Sequence, residues 1–359
     1  MDVKDKNNFV SQSINQKQLP SLNGLRGISI ILVIMFHLNL FYNPILIRIF
    51  NGGLGVNIFF VLSGFLITTL CIKEIKLTGN LSLKSFYIRR ILRIFPVAYL
   101  FIGTIFLLNL ILHLNIAKIQ FFGAMFYITN ISYFRSHSFT WFFGHYWSLS
   151  VEEQFYIIFP FILKKKENIF FFAIVFIALI LPFLCLLEEF VPTLNRGLFY
   201  GLTHYFIKFQ SISVGCIFSI MSFRKSFDFE FIGSTKILGN IIAFFLLFYL
   251  GYDEFYSIKA VYINLLISIL TGYIIISNIT ESTDFFYRLL NAKLLSFIGV
   301  LSYSIYIWQQ IFTSGDSSLS KIFVTYPTNL IFIIIVPIIS YFCYERYFLK
   351  FKSKFSHLK

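Results

Sequence analysis

The chain predicts an all-α, polytopic integral membrane protein with about ten transmembrane helices. Three observations carry that reading. The sequence is 57% hydrophobic with a mean hydropathy of +0.78. Only 13% of its residues are charged, where an ordinary soluble domain has roughly 25%. Its apolar runs are long and continuous, whereas the strands of a membrane barrel would be short and alternating.

Ten spans are expected at about 27–43, 55–72, 94–115, 147–163, 169–187, 204–221, 236–252, 258–277, 294–312 and 322–343. Several fall short of the usual ~20 residues, so tilt or interfacial extension is expected. The distribution of Lys and Arg orients them, because cytoplasmic loops carry the excess. With the N-terminus inside, 23 of the 30 basic residues fall in inner segments and six in outer ones, while Lys208 lies within a span. Both termini are therefore expected in the cytoplasm. The same bias accounts for the net charge of +14 without a polyanion, so no nucleic-acid partner is expected.

The segment 119–134 (IQFFGAMFYITNISYF) is apolar enough to tempt an eleventh span. Counting it would reverse every later loop and put Lys164, Lys165 and Lys166 outside, so it is read as re-entrant or interfacial. The organisation that follows is a cytoplasmic tail (1–24), a membrane domain (25–345) and a basic cytoplasmic tail (346–359). No A-x-A site follows the first apolar run, so a retained first span is expected rather than a signal peptide. Cys71, Cys185, Cys216 and Cys343 stand singly, without metal-ligand spacing. They read as buried apolar filler, and no metal is expected.

Five polar constellations interrupt the apolar background. Arg26 and His37 lie eleven residues apart, nearly three helical turns, and so share a face. Ionisable groups are costly in hydrocarbon and mark functional sites there. The plainer readings are a snorkelling anchor for Arg26 and an interhelical hydrogen bond for His37. Next, Gly52, Gly53, Gly55 and the pair Ser63-Gly64 in NGGLGVNIFFVLSGFLI point to close packing against the first helix or a kink. In FYIRRILRIFPVAY, Arg89 and Arg93 share a face and Arg90 is expected to point elsewhere. Arginine forks match phosphate geometry, so the pair could clamp a phosphorylated ligand or touch lipid phosphates.

The fourth block is HYWSLSVEEQFYIIFP. Glu152 and Ser148 are i, i+4 neighbours, His145 is a turn further back, and Trp147 suits an interfacial belt. Glu153 is expected about 100° away from Glu152 around the helix. At most one of the two is expected to line a cavity with His37. The fifth block, LSYSIYIWQQIF, offers the hydroxyls of Ser302, Tyr303, Ser304 and Tyr306 and the amides of Gln309 and Gln310, as polar glue or as ligand contacts.

In this order the five blocks resemble the membrane acyltransferase-3 family, over essentially the whole chain. That resemblance implies a multi-pass enzyme of a bacterial cytoplasmic membrane. It would move an acyl group, usually acetyl, from acyl-CoA (acetyl-CoA) to a hydroxyl of a cell-surface glycan, lipid-linked sugar or similar acceptor. It implies Arg26 and His37 as the family's essential pair, Arg89 and Arg93 as its RxxR motif, and Glu152 with Glu153 as its WSLSVEEQFY motif. Catalytic roles then fall to His37, Glu152 and Glu153, and donor binding to Arg26, Arg89 and Arg93. Acceptor contacts fall to His145, Trp147, Ser148, Tyr303 and Gln309. Membrane lipid, acyl-CoA and the glycan acceptor are the expected partners, and a homo-oligomer is left open. Family members often carry a histidine after the tryptophan of the last block, where this chain has Trp308-Gln309. Glutamine cannot shuttle a proton, which leaves His37 as the expected base, its neutral form favoured by burial. The competing reading is a transporter or flippase of lipid-linked glycan with no acyl-transfer activity.

Overall fold

The computed structural model describes residues 19–39, 46, 49–131, 133–134, 140–191, 197–224, 233–251, 258–314, 319 and 321–355. Among them the regular structure is helical, with no strand. The helices are α1 (Leu22–Leu38), α2 (Gly52–Thr78), α3 (Leu83–Leu112), α4 (Lys118–Met125), α5 (Tyr146–Lys165), α6 (Glu167–Val175), α7 (Leu181–Phe190) and α8 (Gly197–Phe206). They continue as α9 (Gln210–Phe223), α10 (Gly233–Gly251), α11 (Ile258–Asn278), α12 (Phe285–Leu290), α13 (Lys293–Phe312), α14 (Lys321–Val324), α15 (Thr328–Ser340) and α16 (Arg346–Ser353). Short π turns, Phe176–Ile180 and Tyr341–Glu345, join α6 to α7 and α15 to α16.

Eight described helical stretches are long and apolar enough to cross a membrane, which makes this a polytopic membrane protein. They coincide with eight of the ten expected spans. The first and fourth differ. α1 has 17 residues, starting at Leu22 and stopping at Asn39 in the left-handed region, so it lies about five residues earlier than expected. α5 has 20 residues but carries Glu152, Glu153, Lys164 and Lys165 and falls below the others in apolarity. Within 119–134 the helix α4 has only eight residues, about 12 Å at 1.5 Å per residue, too short to span. Of the cysteines, Cys71, Cys185 and Cys216 are buried as expected, whereas Cys343 is exposed.

The chain forms two compact units, Met1–Asn80 with Ile162–Val300, and Leu81–Phe161 with Leu301–Lys359. The first has its main seam between α2 and α9. Lipid supplies little hydrophobic drive between helices, so close backbone approach decides their packing. A Cβ on Gly64 would fall 2.0 Å from the Ile212 carbonyl oxygen, and one on Gly215 would fall 2.1 Å from that of Val61. Ser63-Gly64 therefore marks a close approach to α9, while Gly55, against the Ser29 carbonyl, is the contact with α1. A Thr69–Ser219 hydroxyl pair at 2.8 Å closes the same seam. Gly64→Leu must force the two backbones apart. The expected outcome is a loss of about 1–3 kcal/mol or more, read as a lowered Tm in detergent. An unchanged Tm would mean the seam does not hold this unit.

The start of α1 is pinned in the same unit. The Ser21 amide donates to Asn291 Oδ1 at 2.9 Å and its hydroxyl to the Asn278 carbonyl at 2.7 Å. Nearby, Lys236 donates to Asp284 Oδ2 at 2.6 Å, and Asp284 also caps α12 by accepting from the Tyr287 amide at 2.8 Å. Burial pushes the Asp284 carboxyl up, but the bonds from Lys236, Ser282 and the Tyr287 amide outweigh it and hold the group below its ordinary value. A depressed carboxyl stabilises fully above its unfolded pKa, and the contribution is lost as pH falls through the folded value. Asp284→Asn should therefore lower Tm at pH 7 and flatten the acid-side decline in stability. Parallel pH profiles for the two proteins would refute the link.

Candidate active site

Arg26 and His37 both belong to α1 in the first unit, and both are half-buried. α1 buries Leu22, Leu25, Ile30, Leu32 and Val33, with small residues Gly24, Gly27 and Ser29 between them. The helical stretch Leu22–Leu38 includes both residues, so the shared face survives the shift of the helix. His37 lies in the last turn, one residue before the helix ends. Its ring centroid is 5.6 Å from that of Phe36.

The other candidate residues gather in the second unit. α3 starts at Ser82, whose side chain accepts from the Ser85 amide, and it carries three arginines in its first turns. Arg90 points elsewhere than Arg89, and it is the buried one of the two. Its Nη2 donates to Glu152 Oε1 at 2.5 Å and its Nε to Glu153 Oε1 at 3.0 Å. Tyr156 completes the enclosure: its hydroxyl donates to Glu152 Oε1 at 3.1 Å, and its ring lies 4.0 Å from the Arg90 guanidinium carbon. Glu152 and Glu153 leave α5 in different directions, yet one planar guanidinium reaches both. Charge-assisted forks of this kind are the strong hydrogen bonds of proteins.

Arg89 instead donates through Nη1 to the Phe355 carbonyl at 2.7 Å, beyond the end of α16. Arg93, one turn after Arg90, interacts electrostatically with Arg90, Glu152 and Tyr303. The spacing R-x-x-R is met by Arg90 and Arg93, three residues apart, whereas Arg89 stands four from Arg93. Matching the motif to Arg89 is therefore corrected to Arg90.

The remaining candidates form a polar line in the same unit. Ser148 Oγ and Tyr306 Oη are 2.6 Å apart, and the two hydroxyls share the His145 carbonyl, at 3.0 and 3.2 Å, one donating to the carbonyl and the other to its fellow hydroxyl. The His145 ring is buried against Phe101, Tyr146 and Tyr306. Tyr303 donates to the Ile94 carbonyl at 2.8 Å, and Trp147 is half-buried. Gln309 Nε2 donates to Gln310 Oε1 at 2.9 Å, while the Gln310 side chain and the Trp141 indole each donate to the other's carbonyl, at 2.8 and 3.0 Å. The position expected to carry a family histidine is thus tied into an amide chain.

A further acid was missed in the sequence. Glu345 is buried at the end of the π turn, accepts from Ser340 Oγ at 3.1 Å and from Ser304 Oγ, and interacts electrostatically with Arg93. It sat among the residues read as the edge of a basic tail.

A model described as an acyltransferase domain, Acyl_transf_3, matches residues 19–345. The chain belongs to the acyltransferase-3 family. It is 33% identical over 332 residues to a Staphylococcus aureus (strain COL) protein named "Putative O-acetyltransferase", covering 81% of this chain and 50% of that one. It is 30% identical over 332 residues to the O-acetyltransferase OatA of Staphylococcus aureus (strain NCTC 8325 / PS 47), covering 86% and 52%. The chain spans about half the length of these curated relatives. No solved structure matches it. The family match ends on Glu345 and so includes the missed acid.

Proposed function

We propose that this protein is a membrane O-acyltransferase, moving an acetyl group from acetyl-CoA to a hydroxyl of a surface glycan or lipid-linked sugar. The observation that carries this reading is membership of the acyltransferase-3 family over residues 19–345, with relatives named as O-acetyltransferases. In this reading ten segments cross a bacterial cytoplasmic membrane with both termini inside, α1 and α5 joining the eight apolar spans. Arg26 serves the phosphates of the donor, with Arg93 and with Arg89, which shares the face of Arg93 although it lies outside the R-x-x-R spacing. His37 removes the proton from the acceptor hydroxyl as its oxygen attacks the thioester carbonyl. The C–O bond forms, the C–S bond breaks, and the CoA sulfur leaves with the proton carried by the imidazolium.

Glu152 and Glu153 act in this reading as orienting groups. Both already accept from Arg90. They shape the site electrostatically with that arginine and are not free bases. His145, Trp147, Ser148, Tyr303 and Gln309 line the acceptor side.

The test is purified protein in detergent or vesicles with radiolabelled acetyl-CoA, scored for release of CoA thiol and for label on added glycan. Thiol release that depends on the protein supports the reading. Failure to bind or consume any acyl-CoA would refute it.

A further inference from the structure

Trp308 is one residue before the position where the family histidine is replaced, and it is 93% buried, its relative exposure being 7%. Indole carries a donor and no acceptor. Its Nε1–H has no hydrogen-bond partner among the described residues. Buried donors without partners are rare and costly, of the order of 1–3 kcal/mol each. The side chain is not loosely placed, for its ring meets the edge of Phe101 at 5.7 Å, and Phe101 also packs against His145 at 5.3 Å and Tyr146 at 6.1 Å. A second buried donor in the same unit is in the same condition. The Tyr127 hydroxyl has no partner among the described residues, and its ring lies 6.2 Å from Tyr146. Two unsatisfied O–H and N–H groups thus flank one aromatic cluster, Phe101 with Tyr146.

The neighbouring hydroxyls do not fill this need. Ser148 and Tyr306 are bound to each other and to the His145 carbonyl. Trp141, by contrast, has its indole N–H on the Gln310 carbonyl. An acyl carbonyl oxygen accepts and brings no proton of its own, so it would satisfy the indole without leaving a further O–H to place among the rings of Phe101 and His145. A carbonyl oxygen also gains negative charge when its carbon is attacked, and a fixed donor in a water-poor site then binds it more strongly.

We infer that the Trp308 indole N–H is a hydrogen-bond donor to the acyl carbonyl oxygen of the acyl-CoA donor. This makes Trp308 a catalytic contact that stabilises charge on that oxygen, and it rests on the acyltransferase reading above. The tetrahedral centre forms by attack of the acceptor oxygen, the carbonyl π electrons move onto oxygen, and they return as the C–S bond breaks. The tryptophan exchanges no proton in the step.

The experiment uses the whole protein in detergent with its three tryptophans labelled with nitrogen-15 at the indole. Trp308→Phe keeps the aromatic packing, removes the N–H and assigns its signal. Acetyl-CoA and CoA are the two probes, differing only in the acetyl group. The Trp308 signal should shift downfield with acetyl-CoA and stay in place with CoA. Trp308→Phe should slow thioester turnover about 10²-fold with an unchanged Tm. No shift with saturating acetyl-CoA, or the same shift with both probes, overturns the inference, as does unchanged turnover in an active protein. If the wild-type protein turns nothing over but its Trp308 signal moves with acetyl-CoA alone, the carbonyl contact stands and the acyltransferase reading fails.

Discussion

His37→Ala is expected to lower acyl transfer by about 10²–10⁴-fold, the range for loss of a general base. Folding should be unaffected. His37 occupies the last turn of α1 and is half-buried, whereas the residues that hold α1 in place are Leu22, Leu25, Ile30, Leu32 and Val33. Glycine contacts along α2, such as Gly55 against the Ser29 carbonyl, fix the helix from the other side. Removing the imidazole leaves that packing alone, so Tm and acetyl-CoA binding should match the wild type while kcat collapses. His145 is the useful contrast. It is buried against Phe101, Tyr146 and Tyr306, so His145→Ala opens a cavity and should lower Tm by an amount that His37→Ala does not. Turnover measured with radiolabelled acetyl-CoA, beside a thermal melt of each variant, checks both statements. Full activity in His37→Ala would remove the histidine from the mechanism.

Hydropathy made most of the helices legible, because a membrane span announces itself in a single stretch of chain. What it could not show was which polar residues meet. Arg90 and its carboxylates are 62 and 63 residues apart, and hydropathy does not distinguish Arg90 from Arg89 beside it. The signal that could have found it was the motif spacing itself, since only Arg90 stands three residues from Arg93. The start of α1 was misplaced for a related reason. Ser21 and Asn23 look like tail, yet the Ser21 amide and hydroxyl bind Asn291 and Asn278, and a Cβ on Gly299 would strike the Asn23 carbonyl. Polar residues that are satisfied by distant partners do not register as buried in a hydropathy reading. Glu345 was hidden by its place: it is the last residue before the basic tail that Arg346, Lys350 and Lys352 mark, while Ser304 and Ser340 take its carboxylate inward.

Arg90→Leu is expected to be the most damaging single change in the second unit. The side chains of Arg90, Glu152 and Glu153 are only 10%, 16% and 11% exposed. An isolated buried carboxylate cannot recover its lost hydration, so removing one partner of a buried pair typically costs about 3–5 kcal/mol. Here one arginine serves two carboxylates, and Tyr156 gives its ring to the cation and its hydroxyl to Glu152. Arg93 lies in electrostatic reach of Glu152 but cannot replace the fork, because it also faces Glu345. The expected result is a large fall in Tm and little folded protein. Arg90→Lys should be intermediate, since it keeps the charge but loses the planar group that reaches both acids. The decisive comparison adds Glu152→Gln and Glu153→Gln to Arg90→Leu. If buried charge is the cause, the triple variant should regain much of the lost stability, because no unpaired carboxylate remains. Stability that stays low in the triple variant would assign the loss to packing around Tyr156. Stability unchanged in Arg90→Leu itself would mean that the carboxylates neutralise by taking up protons, and the arginine would then have no structural claim on them.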